Sequence, residues 1–249
     1  MIVKDANQKN LMKRSSQIAA GALKEVVKYV RAGITTKELD GIAHAQITKA
    51  GATPSFQTVD NYKYTICTTV NDEVVHGLPT DYKLQEGDVL GIDIGALYKG
   101  YHSDCAVSVI VGKSDDRKEK FLMTGKEALN KAISKARVGN KVGDISAEIQ
   151  RIIEGAGYSP VKALTGHGVG QELHEDPIIP CFGRAGTGPK IREGMALAIE
   201  AIYGENTGEI TYKNGDGWTI ATKDGSLGGL FEKTVLVQKS GPIVLTNWE

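Results

Sequence analysis

Two stretches of this chain repeat each other, and their register limits the fold more than any other feature. ALKEVVKYVRAG (22–33) matches ALNKAISKARVG (128–139) at an offset of 106 residues. Ala22/Ala128, Leu23/Leu129, Arg31/Arg137, Gly33/Gly139 and, further on, Gly51/Gly157 keep that register. EGDVLGID (86–93) then matches EGMALAIE (193–200) at an offset of 107, through Glu86/Glu193, Gly87/Gly194, Leu90/Leu197 and Ile92/Ile199. The match ends by placing Asp93 on Glu200. Two amphipathic helices often resemble each other by chance, but a register held this far with acid on acid points to duplication. The offset exceeds the periods of solenoid arrays. We therefore expect one α+β domain of two helix–helix–strand halves, approximately 1–112 and 113–249, related by a pseudo-two-fold axis.

Local signals agree. Asp5 caps a first helix whose apolar stripe is Leu11, Ile18, Ala22, Val26 and Val30, with Gly33 as its stop. Thr35 with Glu38 is a capping box for a second helix to about Ala50. Residues 54–76 read as loop then strand, 88–111 as strand-rich, and 116–136 and 143–156 as two more helices. From about 160 onward, strands and glycine-rich loops are expected. Lys+Arg and Asp+Glu are both 30, so composition offers no argument for nucleic-acid or membrane binding. No apolar stretch reaches membrane-spanning length, and MIVKDANQKN lacks the apolar region of a signal peptide. Cys67, Cys105 and Cys181 are scattered with no CxxC, which suits a reducing, cytoplasmic setting without disulfides.

Four acids stand inside apolar runs: Asp93 in GIDIG, Asp104 in HSDCAVSV, Glu200 in LAIEAIY and Glu232 in LFEKTVLV. A carboxylate there is costly unless paired or bound to a cation. Lys99-Gly100 is a two-residue hairpin turn that pairs residues whose numbers sum to 199. Leu90, Ile92, Ile94, Cys105, Val107 and Val109 then share one apolar face. Asp104 falls opposite Gly95, diagonal to Asp93, close enough for both carboxylates to share a cation, with small Gly95 and Ala106 leaving room. The following strand of each half carries Asp104 and Glu232, which we expect to be equivalent positions. A solvated polar face is the plain alternative for one hairpin; Glu200 and Glu232 in matching contexts argue against it.

His167 lies in TGHGVG, which lacks the strand–turn–helix context of a nucleotide loop. Glycines on both sides permit close backbone approach and an unusual ring orientation. One imidazole among four carboxylates suits Mn, Fe, Co, Zn or Ni better than a thiolate-type structural zinc. His76 and His174 are each expected at a strand end before a turn, framed by glycine or proline. His44 and His102 read as structural. No Ser or Cys nucleophile has a supporting context.

These residues carry a resemblance. PSF (54–56), ICTTVN (66–71), HGLP (76–79), GHGVG (166–170), HEDP (174–177) and WT (218–219), in order before the Glu232 strand, resemble the pita-bread metallopeptidases, most closely the type I methionine aminopeptidases in their minimal bacterial form. The resemblance covers nearly the whole chain. It implies a pita-bread fold around a central, curved antiparallel sheet, one catalytic domain, and two divalent metal ions held by Asp93, Asp104, His167, Glu200 and Glu232, with Asp104 and Glu232 bridging. It implies removal of N-terminal methionine from nascent proteins and peptides with a small second residue, by attack of a metal-bound hydroxide. Glu200 would also handle the proton, His174 would stabilise the tetrahedral intermediate, and His76 would contact the scissile nitrogen. Tyr62, Cys67, Leu173 and Trp218 would line the methionine pocket. A monomer that contacts the ribosome transiently, with no membrane or specific nucleic-acid partner, is also implied; Lys131, Lys135, Arg137 and Lys141 form a basic candidate helix for it, although a solvated face is the stronger reading of those residues.

The chain departs from the family pattern at Val59 and Leu173, where aromatics are frequent, at Lys63 and Ala201 in place of proline, and at Lys233 in place of histidine. None is an expected ligand. Two alternatives remain. An X-Pro aminopeptidase or dipeptidase of the same fold usually carries a further N-terminal domain. A catalytically inactive binding module typically loses ligands, and all five are present here.

Overall fold

A computed structural model describes every residue except Met1, Lys4 and Glu249. The first part of the chain forms α1 (Ala6–Tyr29), α2 (Thr36–Lys49), β1 (Thr53–Pro54), a 3-10 turn (Phe56–Thr58), β2 (Ile66–Val70), β3 (Glu73–Val75), β4 (Val89–Tyr98) and β5 (Tyr101–Ile110). Then follow α3 (Asp116–Lys135), α4 (Val142–Gly155), β6 (Ser159–Pro160), β7 (Thr165–Gly168), β8 (Glu175–Pro180) and β9 (Ala196–Gly204). The chain closes with β10 (Ile210–Tyr212), β11 (Ile220–Thr222), β12 (Gly228–Gln238) and β13 (Gly241–Val244). Both expected helix starts are present. Asp5 accepts from the Gln8 N–H at 2.8 Å, and Thr35 and Glu38 satisfy each other's backbone N–H groups.

The main sheet runs β1-β4-β5-β12-β9-β7-β8, all antiparallel, with β2 also on β4, β6 on β9 and β13 on β12. The helices cover one face: α1 packs on β4 and β5, and α3 on β9 and β12. Lys99 and Gly100 both take positive φ, 49° and 81°, and the β4–β5 ladder has the expected register, Ile92 opposite Val107 and Gly95 opposite Asp104.

Positions matched by the sequence repeat share local geometry. Gly33 and Gly139 have φ of 87° and 95°, Gly51 and Gly157 77° and 89°, and Gly87 and Gly194 both 83°. The Gly33 N–H donates to Leu84 and the Gly139 N–H to Ile191. The pair Thr53↔Leu97 recurs as Ser159↔Gly204.

Three expectations need correction. Asp104 and Glu232 are not equivalent in the ladders: Asp93 faces Ala106, whereas Glu200 faces Glu232, so Glu232 takes the place of Ala106 and Leu230, opposite Ile202, that of Asp104. Secondly, β12 does not follow β9 directly. Residues 205–227 intervene where the first half has a two-residue turn, and their strands form a second sheet, β10-β11-β3. Finally, α3 ends at Lys135, so Arg137 and Lys141 lie beyond that helix, and Lys135 pairs with Glu148 at 3.6 Å.

Gly125 shows how closely α3 approaches the sheet. A Cβ built there would lie 2.5 Å from the Tyr203 ring and 2.7 Å from Phe231, whereas one at Gly21 on α1 would meet nothing within 4 Å. Gly125→Ala is expected to destabilise the protein by about 1–3 kcal/mol through overpacking. Gly21→Ala should instead stabilise it by about 0.5–1 kcal/mol. Urea denaturation midpoints at unchanged m-value check both.

Candidate active site

On the sheet face away from α1 and α3, the ladders set two adjacent rows of side chains. The first runs Asp93, Ala106, Glu232, Glu200 across β4, β5, β12 and β9. In the second, Gly95 faces Asp104 and Thr234 faces Ala198, which faces His167 on β7. Asp104 and Thr234 are joined directly: the Asp104 N–H donates to Thr234 Oγ1 at 3.0 Å, and that hydroxyl donates to the Asp104 carbonyl at 2.7 Å. Ligand atoms of Asp104, His167 and Glu232 lie within 4.8 Å of one another, and Asp93 and Glu200 flank them along the first row. Asp104, His167, Glu200 and Glu232 are buried and Asp93 is half-buried.

His167 sits in a strand rather than a loop. A Cβ on Gly166 would lie 2.6 Å from the Ala198 carbonyl oxygen, and one on Gly168 2.8 Å from the Asp176 carbonyl carbon. The flanking glycines therefore serve close strand approach, as expected, and neither has positive φ. His167 Nδ1 lies 2.9 Å from the Gly168 carbonyl oxygen. A carbonyl only accepts, so Nδ1 carries the proton. Nε2 is left as a bare acceptor, 3.9 Å from Asp104.

Gly95 does not open space for a cation. A Cβ there would strike Ser55 and approach Phe56 to 3.1 Å, so its small size admits the wall of a neighbouring pocket. That pocket, a cavity of about 630 Å³, has Asp93, Asp104, His167, Glu200 and Glu232 on one side. Tyr62, Cys67, Leu173 and Trp218, with Phe56 and Val59, form the apolar side, and His76 and His174 stand in the same lining. Every site residue expected from the sequence thus faces one cavity. Phe56 was missed as a lining residue; it stood in the PSF block, but nothing in one sequence says which way it points. The Tyr62 and Trp218 rings meet edge-on at 5.0 Å, and the Tyr62 hydroxyl contacts the Ile66 carbonyl and Cys67 Sγ at 2.8 and 3.1 Å. Trp218 is presented by the 205–227 segment, where Asp216 accepts from the Trp218 and Thr219 N–H groups.

His76 directly follows β3 with φ of 57°, a strained conformation outside glycine. Gly77 follows it so tightly against Thr68 that no side chain fits there. His174 directly precedes β8 rather than ending a strand, and its ring meets His167 edge-on at 4.5 Å. His44 contacts Thr65 and His102 contacts Ser55, away from the cavity lining.

Electrostatics mark the cluster out. Burial raises the Asp93 carboxyl to about 7. Burial, then repulsion from Asp93, raises Glu200 to about 8. Asp104 and Glu232 are pushed well up by burial and by repulsion from the other acids. Burial, then His174, lowers His167 to about 4, and partial desolvation lowers His76 and His174 although both residues are exposed at the surface. Oxygens of Asp93, Asp104 and Glu232 are buried without a hydrogen-bond partner. Orphaned carboxylate oxygens and a bare imidazole nitrogen, converging from five strands, are the donor set of a divalent cation site.

Such a cage beside an apolar pocket defines a metal-dependent hydrolase. The chain belongs to metallopeptidase family M24, whose model matches residues 10–239, and its architecture is the pita-bread fold of that family. Its relatives have a more particular identity. It is 43% identical over 247 residues to the methionine aminopeptidase of Clostridium perfringens, covering 99% of this chain and 98% of that one. It is 40% identical to methionine aminopeptidase 1 of Bacillus subtilis, covering 99% of both. The crystal structure of the Thermotoga maritima methionine aminopeptidase superposes with a TM-score of 0.96 at 40% identity, covering 99% of this chain and all of that one. The family implies use of divalent metal.

The raised carboxylates fix a sign. Unfolded carboxylates titrate near 4. Above that, folded metal-free protein holds more protons than the unfolded chain, and its stability falls as pH rises through about 7 and 8. The lowered histidines act oppositely, but only below their unfolded value of about 6.5. Between pH 6.5 and 8, metal-free protein should therefore melt at progressively lower temperature, and saturating Mn²⁺ should flatten that decline. Thermal melts with chelator and with Mn²⁺ measure it, and a flat chelator profile would contradict the assignment.

Proposed function

We propose that this chain removes the N-terminal methionine from nascent proteins and peptides whose second residue is small. One observation carries the reading: a pocket of Phe56, Tyr62, Cys67, Leu173 and Trp218 opens directly onto the buried carboxylate cage. An unbranched thioether suits such a soft apolar pocket.

In this reading Asp93, Asp104, His167, Glu200 and Glu232 hold two divalent ions, of Co, Mn, Fe, Zn or Ni type. Asp104 and Glu232, on the two central strands, would be the carboxylates available to both. When bound, the ions supply a water of lowered pKa and positive charge beside the scissile carbonyl. The pocket fixes the methionine side chain, which brings its free amine toward Asp93. A bound amine there, with the pocket wall behind it, limits cleavage to a single residue. Glu200 takes the proton from the attacking water. His174, whose pKa is lowered by its partly desolvated position, donates a hydrogen bond to the carbonyl oxygen as it gains charge. His76, held at the rim by its left-handed backbone, meets the scissile nitrogen.

The same reading treats the chain as one catalytic domain of two duplicated halves, 1–112 and 113–249, with the active site on their seam. It describes a cytoplasmic monomer, which its free, buried cysteines suit. Among the described residues, no helix is long and apolar enough to cross a membrane. Nascent chains are a source of such N-termini, so transient ribosome contact belongs to the proposal, with exposed Lys131 and Arg137 on the candidate surface.

Mn²⁺- or Co²⁺-loaded protein should release methionine from Met-Ala-Ser and leave Ala-Pro peptides intact; the opposite preference would overturn the reading. Glu200→Gln and His174→Ala should each lower kcat by about 10²–10⁴-fold without loss of fold. Leu173→Phe should narrow the pocket and raise selectivity for methionine over shorter side chains. Steady-state kinetics with matched circular dichroism test these three variants.

A further inference from the structure

We infer that His102 is a positioning residue that sets the width of the apolar pocket by joining its two walls. This rests on the function proposed above. Its ring and its backbone each engage a different wall. The first wall begins at Ser55, which precedes Phe56, Val59 and Tyr62. The second is the turn 170–174, which ends in Leu173 and His174.

His102 lies on β5 two residues before Asp104, so both side chains share the face that carries the site. Its Nδ1 is 2.5 Å from Ser55 Oγ, and both residues are buried. Ser55 is seated against the sheet from two directions. Its N–H donates to the Gly95 carbonyl at 3.0 Å, and a Cβ on Gly95 would lie 2.6 Å from the Ser55 Cβ. From Ser55 the chain turns through short backbone hydrogen bonds, Thr58 to Ser55, Val59 to Phe56 and Tyr62 to Val59. Phe56, Val59 and Tyr62 therefore move with Ser55.

On the other side, the His102 N–H donates to the Gly170 carbonyl at 2.7 Å, and the Gly170 N–H donates to Glu172 at 3.0 Å. That tight turn presents Leu173 to the pocket and His174 to His167. His102 is thus a strut: one residue fixes the distance between Phe56 and Tyr62 on one wall and Leu173 on the other, without itself lining the cavity. Because the pocket selects by apolar fit, a small change in that distance alters which side chain binds more than it alters the chemistry.

The test uses Mn²⁺-loaded full-length protein. Wild-type turnover of Met-Ala-Ser comes first, and its absence would defeat the functional reading rather than this one. With turnover established, His102→Ala and Ser55→Ala should each raise KM about tenfold and cut the preference for Met-Ala-Ser over norvalyl-Ala-Ser about tenfold, with kcat within about threefold. The double variant should be no worse than the worse single one, because both remove the same contact. His102→Asn, whose amide places a polar atom where Nδ1 stands, should restore the preference. If His102→Ala fails to fold, Ser55→Ala decides, with its melting temperature recorded. A folded Ser55→Ala variant with unchanged KM and preference, additive losses in the double variant, or no rescue by asparagine would each overturn the role.

Discussion

Mutual repulsion among four clustered carboxylates, three buried and Asp93 half-buried, is the constraint on which the rest of this structure depends. Each uncompensated buried charge costs about 3–5 kcal/mol, and a whole domain is stable by only about 5–15 kcal/mol. Asp93, Asp104, Glu200 and Glu232 therefore cannot all be charged in the folded chain without cations between them. Protons can substitute, which is why all four carboxyl groups are held above their ordinary values. The opposite sheet face supplies the compensating stability. Leu90, Ile92, Ile94, Cys105, Val107, Leu197, Ile199 and Val235 are buried there in the core that α1 and α3 complete. The two faces are consequences of one another through the two-residue period of a strand.

The near-symmetry of the halves explains the cage, and its failures explain the pocket. The first half closes β4 and β5 with two residues; the second inserts 205–227 between β9 and β12. That insertion pairs with β3 and delivers Trp218 edge-on to Tyr62, with His76 directly after β3. The second failure lies in the ladders. Ala106 occupies the row position that Glu232 occupies in the other half, so one row holds three acids and one methyl group rather than four acids. A fully symmetric site would crowd another carboxylate into the centre and leave no side pocket.

Much of this was legible in the residues. Helix caps, the hairpin register and the acids in apolar runs are local signals, and each reads through spacing alone. Roles came from blocks such as HGLP and HEDP, through resemblance. Three things were not legible. The equivalence of Asp104 with Glu232 failed because order along the chain does not encode ladder register once an insertion intervenes. Gly95 was read as space for a cation, whereas Ser55 and Phe56, remote in sequence, fill that space. Phe56 and His102 acquire meaning only through partners 39 and 47 residues away, Gly95 and Ser55 respectively, and no periodicity reports such contacts.

The glycines around His167 complete the physical logic. A glycine-histidine-glycine run invites a phosphate-loop reading, and loops of that kind need left-handed glycines at a helix start. Here Gly166 and Gly168 have ordinary strand geometry and face the Ala198 and Asp176 backbones. Their absent side chains let β7 lie against β9 at Ala198, one row from Glu200. That placement also turns Nδ1 onto the Gly168 carbonyl, leaving Nε2 as the nitrogen acceptor beside the two central acids, Asp104 and Glu232. The imidazole is neutral because burial and His174 both oppose its protonation. A neutral, pre-oriented nitrogen at one end of an otherwise all-oxygen cage makes its two ends chemically unequal, which a cage of carboxylates alone could not do.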